Sequence, residues 1–83
     1  MTEAIQAGRR AAGRAALARR GTLGLTQLKV AELAGVDVKT LRTLETGERW
    51  PIASNLAAIG AALGFQSGEL QAIADSESVT VAP

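Results

Sequence analysis

The segment Asp37-Val38-Lys39-Thr40-Leu41-Arg42-Thr43-Leu44-Glu45-Thr46 holds the residues of this 83-residue chain best suited to chemistry. Read as a helix, it turns Leu41 and Leu44 to one side and Lys39, Arg42, Thr43 and Thr46 to the other. An exposed Arg or Lys in such a setting can donate two hydrogen bonds to O6 and N7 of guanine, and Val38 can pack on a thymine methyl. Each good pair of this kind discriminates by about 1–3 kcal/mol. Lys39 and Arg42 are therefore the leading base-reading candidates, joined by Val38, Thr43 and Asp37. The Asp37 carboxylate is expected to be occupied in capping the helix; if it reaches a groove, the N4 amine of cytosine is its natural partner. Thr40, Thr43 and Arg49, with backbone amides at helix starts and arginines of the N-terminal segment, suit phosphate groups.

Other chemistries lack their residues. The chain has no Cys and no His, so disulfides and the usual zinc sets are unavailable. No paired-carboxylate, phosphate-loop or nucleophile-elbow pattern is present, so the chain is read as a non-enzyme without cofactor or metal. No apolar run approaches the roughly 18 residues of a membrane span, and the Arg-rich start lacks the core of a signal peptide. A soluble cytoplasmic protein of a bacterial host, associated with DNA, is expected. Net charge is only +1, but all nine basic residues lie before position 50, against five acidic ones. Glu69, Asp75 and Glu77 follow with no base among them. One part of the chain suits a polyanion and the other does not.

The elements that would position these residues are helices. Alanine, leucine and arginine are abundant and aromatics nearly absent, which disfavours strands. At this length a single compact core buries about 60% of the unfolded surface. A first helix is expected over about 3–20, closed by Gly21, with Gly21-Thr22-Leu23-Gly24 as connector. Thr26 caps a second over about 26–34, ended by Gly35. The recognition helix covers about 38–46 and stops at Gly47. Pro51 opens a fourth over about 51–63, where Ile52, Leu56, Ile59 and Leu63 form an inward stripe. Ser67 caps a short fifth over about 68–74. Residues 1–74 are read as one domain and 75–83 as a tail, either disordered or carrying a short strand at Ser78-Val79-Thr80-Val81. Two helices joined by a three- or four-residue turn with a glycine form a helix-turn-helix unit.

The run Gln27-Leu-Lys-Val-Ala-Glu-Leu-Ala-Gly-Val-Asp-Val-Lys-Thr-Leu-Arg-Thr-Leu-Glu-Thr-Gly resembles the phage repressor and Cro family, the XRE-type helix-turn-helix proteins. The resemblance covers about Leu25 to Phe65. It includes the Leu-Thr-Gln opening, the Ala-Gly-Val turn, the Leu-Glu-Thr-Gly ending, a Pro after the loop and the Ala-Leu-Gly close of the fourth helix. It implies an all-α, compact, five-helix lambda-repressor-like domain whose second and third helices form the motif. It implies that Gln27 bonds a phosphate and braces the recognition helix; outside this context Gln27 is a polar first-turn residue. It implies that Asp37, Val38, Lys39, Arg42 and Thr43 read base edges, and that Glu45 pairs with an arginine of the first helix. Gly21–Gly24 reads as an insertion relative to the family, which leaves the choice of arginine open; Arg14 and Arg19 are the candidates. Both also join Gln27, Thr26, Thr40 and Arg49 as expected phosphate contacts. Ala31, Gly35, Val36, Leu41, Leu44 and Glu45 make the structural frame of the motif. Leu28 and Leu33, where the family carries polar residues, are expected to widen the core, with a partner surface as the alternative.

The functional expectation is a phage-type transcriptional regulator that reads a pseudo-palindromic duplex operator as a homodimer, its half-sites about 34–36 Å apart. Phe65, Leu70 and Ile73 serve either core or dimer contact, with Val79 and Val81 as a further dimer candidate. Trp50 either packs the loop onto the fourth helix or touches DNA. The alternative is an antitoxin-like or anti-repressor component that uses the same fold on a protein partner.

Overall fold

The computed structural model describes residues 3–78 and is all-helical over them: α1 (Glu3–Leu23), α2 (Gln27–Ala34), α3 (Val38–Thr46), α4 (Ala53–Ala62) and α5 (Glu69–Ser78). The expected five-helix, lambda-repressor-like architecture is present, with α2 and α3 as the helix-turn-helix. The candidate strand residues Val79 and Val81 lie outside the described residues.

α1 does not stop at Gly21. It continues to Leu23, and Gly24, at φ 68°, makes the left-handed turn instead. The N–H of Leu25 donates to the Arg20 carbonyl at 3.1 Å and that of Gly24 to the Gly21 carbonyl at 3.0 Å, the paired bonds of a glycine-closed helix end. A glycine can also sit in helical conformation, so the choice between two glycines three residues apart falls to packing. The consequence is a register in which Arg20 still belongs to the helix.

The α2–α3 turn uses the same device once. Gly35 sits at φ 70°, and the Val36 N–H reaches the Ala31 carbonyl at 3.0 Å. α4 begins at Ala53 rather than at Pro51. Ile52 is the flanking residue, extended at φ −63° and ψ 157°, so Pro51 belongs to the loop. α5 starts without a Ser67 cap: the Gly68 carbonyl accepts the Ala72 N–H at 2.9 Å, and the Glu69 carboxylate accepts the Gln66 N–H at 2.9 Å. It then runs on to Ser78, so residues 75–78 belong to α5 rather than to the expected tail.

The core joins all five helices through Ala16, Val30, Leu41, Leu44, Leu56, Ile59, Leu63 and Leu70. α5 packs mainly on α1, whose apolar face is made of small residues: Ala12, Gly13 and Ala16 are all buried. Leu28 and Leu33 do not widen this core; they are 61% and 56% exposed. α2 buries only Val30 and Ala31, and each leucine stands roughly 110° around the helix from the centre of that stripe. Leu28→Gln and Leu33→Gln are thus expected to change unfolding free energy by less than about 0.5 kcal/mol. Leu41→Ala, at a fully buried position, should lose about 2–5 kcal/mol, and urea denaturation of the three variants distinguishes these outcomes.

Candidate nucleic-acid interface

α3 is a nine-residue helix with two unlike faces. Leu41, Leu44 and Glu45 are buried, Val38, Thr40 and Thr43 half-buried, and Lys39, Arg42 and Thr46 exposed. Its burial stripe fixes which side chains face outward, and the two free cations share that side. The Thr43 hydroxyl donates back to its own helix, 3.0 Å from the Lys39 carbonyl and 3.2 Å from that of Thr40, so towards a ligand it can only accept. Asp37 occupies the flanking position expected of a cap, at φ −67° and ψ 144°, but its side chain makes no capping hydrogen bond. Its carboxylate stands exposed at the leading end of the helix instead of being occupied in capping.

The trailing end of α3 is held from behind by a polar cluster. Arg20 grips Glu45 with two bonds, Nε to Oε2 at 2.7 Å and Nη2 to Oε1 at 3.1 Å, while its Nη1 donates to the Leu25 carbonyl at 3.0 Å. Gln27 Nε2 donates to the same carboxylate at 2.8 Å. The Glu45 side chain is 4% exposed and that of Arg20 17%. The hydrogen bond to Glu45 raises the Arg20 pKa above its ordinary value, against an opposing effect of burial. This cluster ties the end of α1, the start of α2 and the end of α3 into one unit. Gln27 Nε2 retains a second N–H, which nothing in that bond consumes.

The partner of Glu45 is therefore Arg20, not Arg14 or Arg19. Gly21–Gly24 is not a connector: Gly24 ends the helix, so Arg20 still lies within α1 and comes into reach of Glu45. Arg19 is turned away from α3. Its Nη1 donates to the Leu63 carbonyl at 3.1 Å at the end of α4, and its guanidinium lies 4.2 Å from the centroid of the Phe65 ring. That placement withdraws the support for Arg19 as a phosphate contact. Arg14 is exposed.

The remaining candidates divide as follows. Thr26 caps α2, its Oγ1 accepting the Lys29 N–H at 3.0 Å, and stays exposed. Ala31 is buried where α2 meets the core; Val36 packs against the core from the turn, and Gly35 is exposed within it. Arg49 is exposed, and with Thr40, Thr43, Pro51, Ile52 and Asn55 it borders a groove of about 290 Å3 beside the outer face of α3. Trp50 is half-buried against the core, with the Arg9 guanidinium 5.3 Å from its ring centroid, so α1 covers it. Leu70 is 3% exposed and belongs to the core; Phe65 and Ile73 are half-buried against that core. Among the described residues no group of three or more His, Cys, Asp or Glu could hold a metal ion, and no helix is long and apolar enough to cross a membrane.

No curated protein and no solved structure matches the chain. A family model described as helix-turn-helix does match, over residues 17–70, which runs from the last two turns of α1 through the motif to the first turn of α5. That span is well over half of the chain and contains the Arg20–Glu45–Gln27 cluster, both helices of the motif and the core of α4. The chain belongs to the XRE-type, repressor/Cro-like helix-turn-helix family of DNA-binding proteins.

Proposed function

We propose that the protein is a transcriptional regulator of the phage repressor/Cro kind that reads a specific duplex operator through the major groove with α3, as a homodimer on a pseudo-palindromic site. The observation that carries this reading is the outer face of α3: Lys39 and Arg42 stand exposed without an acidic partner, on a helix clamped at its far end by Glu45. The helix backbone that carries these cations is already ordered, so docking adds no backbone ordering cost to that of the side chains, which favours bidentate reading of guanine. Val38 contributes apolar contact, Thr43 accepts from a base amine, and the uncapped Asp37 carboxylate selects cytosine N4. Gln27, through its second N–H, Thr26, Thr40, Arg49 and Arg14 hold phosphates and set the register. Half-sites about 34–36 Å apart would place both copies of α3 on one side of the duplex.

Selection of bound sequences from random duplex DNA near physiological salt tests the proposal. A two-fold symmetric site should emerge, and it should vanish when Lys39 and Arg42 are both changed to Ala. Arg42→Ala alone is expected to relax preference at one base pair per half-site by about 1–3 kcal/mol. Arg14→Ala should instead weaken all sequences alike and reduce the salt slope by about 1. Folded protein that enriches no sequence would overturn the reading and direct attention to a protein partner.

A further inference from the structure

The family match begins at residue 17, so roughly the first four turns of α1, residues 3–16, lie outside it. They carry Arg9, Arg10 and Arg14, and no acidic residue stands between Glu3 and Glu32. Of the arginines of α1, three are occupied within the fold: Arg20 holds Glu45, Arg19 the end of α4, and Arg9 lies over Trp50. Arg10 and Arg14 are exposed, and among the described residues neither guanidinium makes an ion pair or a hydrogen bond. They stand one turn apart on the flank next to Gly13, where α1 crosses the end of α3. The stem of Arg10 lies on the bare Cα of Gly47, so close that a Cβ there would fall 2.6 Å from its Cγ. Gly47 ends α3, so the Arg10 guanidinium is carried past the trailing end of the outward row Lys39, Arg42 and Thr46. We infer that the first part of α1 is a second DNA-binding element, in which Arg10 together with Arg14 holds phosphates of the strand that borders the groove at the trailing end of α3.

Three features favour a phosphate strand as the occupant. Like charges four residues apart destabilise a helix by themselves, and a solvated face would ordinarily interleave acids; Arg10 and Arg14 have none within reach on α1, an arrangement that a polyanion offsets. A recognition helix lays its leading residues on base edges, so its trailing end turns towards the backbone at the edge of the groove, and that is where Arg10 emerges. Arg49, exposed two residues beyond Gly47, stands on the same end of α3, so cations from α1 and from the loop flank it together. Guanidinium groups match phosphate geometry with two parallel donors and carry no base preference of their own. The inference rests on the reading of α3 proposed above and adds to it a part of the chain that the family match does not include, with Arg10 as a contact that neither the motif nor its spacing singles out.

Arg10→Met keeps a stem over Gly47 and removes the charge. On duplex enriched by the selection it should bind about fivefold more weakly near physiological salt, with the salt slope smaller by about 1 and base preferences unchanged. Arg10→Lys should bind like the native protein. Replacing phosphates one at a time by neutral methylphosphonates locates the contact. At one position or more, outside the base pairs that Lys39 and Arg42 select, the replacement should weaken the native protein and leave Arg10→Met unaffected. An unchanged salt slope, or a variant as sensitive as the native protein at every position, overturns the inference. A lower melting temperature with an unchanged slope overturns it too, and would make Arg10 a counter-charge to the carbonyl end of α3. The reading of α3 fails separately. If no sequence is enriched, a slope on random duplex that drops by about 1 in Arg10→Met leaves the α1 element standing while operator reading falls. An enriched site that both proteins bind alike removes the α1 element alone.

Discussion

Arg20→Met is expected to lower unfolding free energy by about 3 kcal/mol, one of the two largest effects foreseen for a single substitution in this chain. Methionine keeps much of the length of the side chain but removes both bonds to Glu45, whose carboxylate would remain almost fully buried with Gln27 as its one donor. Breaking a buried ion pair from one side costs about 3–5 kcal/mol; the partial exposure of Arg20 places this case at the lower end. For a domain of this size the melting temperature should fall by roughly 12–24 °C. Changing Glu45 to Leu at the same time removes the stranded charge, and the double variant should recover most of the loss. Calorimetry of the two single variants and the double variant measures the coupling. Additive losses would mean that the cluster is not the clamp described here. A recovered double variant that binds selected DNA poorly would show that the clamp matters for holding α3 and Gln27 in register beyond its effect on stability.

Gly13→Ala should be comparably damaging, at about 3 kcal/mol, although alanine is the better helix former by about 1 kcal/mol. Gly13 is buried where α1 crosses the end of α3, and a Cβ there would overlap the Leu44 carbonyl oxygen, with the Glu45 carbonyl oxygen only 3.0 Å away. Both neighbours are backbone, so no flexible side chain can yield, and α1 must move away from α3. That movement would also draw Ala12 and Ala16 out of the core and lengthen the Arg20–Glu45 bonds. Gly21→Ala on the same helix is the control, because nothing lies within 4 Å of its added Cβ; it should leave stability unchanged or raise it by up to about 1 kcal/mol. If Gly13→Ala melts with the native protein, α1 and α3 are not in the close contact described.

The motif was legible because short-range rules suffice for it. Thr26, Gly35 and Gly47 punctuate α2 and α3, and the three-residue connection leaves few ways to pack two short helices. The exposure of Lys39 and Arg42 follows from the same periodicity, since Leu41 and Leu44 must be buried. Leu28 and Leu33 misled because hydrophobic character alone does not decide burial: on an eight-residue helix with two inward positions, leucines at the margins stay in solvent.

Local sequence thus determined the number and order of the helices, the family and the outward face of α3, since capping, periodicity and turn length act within a few residues. Tertiary structure decided which of two glycines ends α1, and with it that Arg20 rather than Arg14 or Arg19 reaches Glu45, 25 residues along the chain. It also assigned Arg19 to the end of α4, Leu70 to the core and Asp37 to solvent. These outcomes depend on where whole helices come to rest against one another, and that is set by the combined packing of α1 on α3 and α5, which no window of local sequence contains.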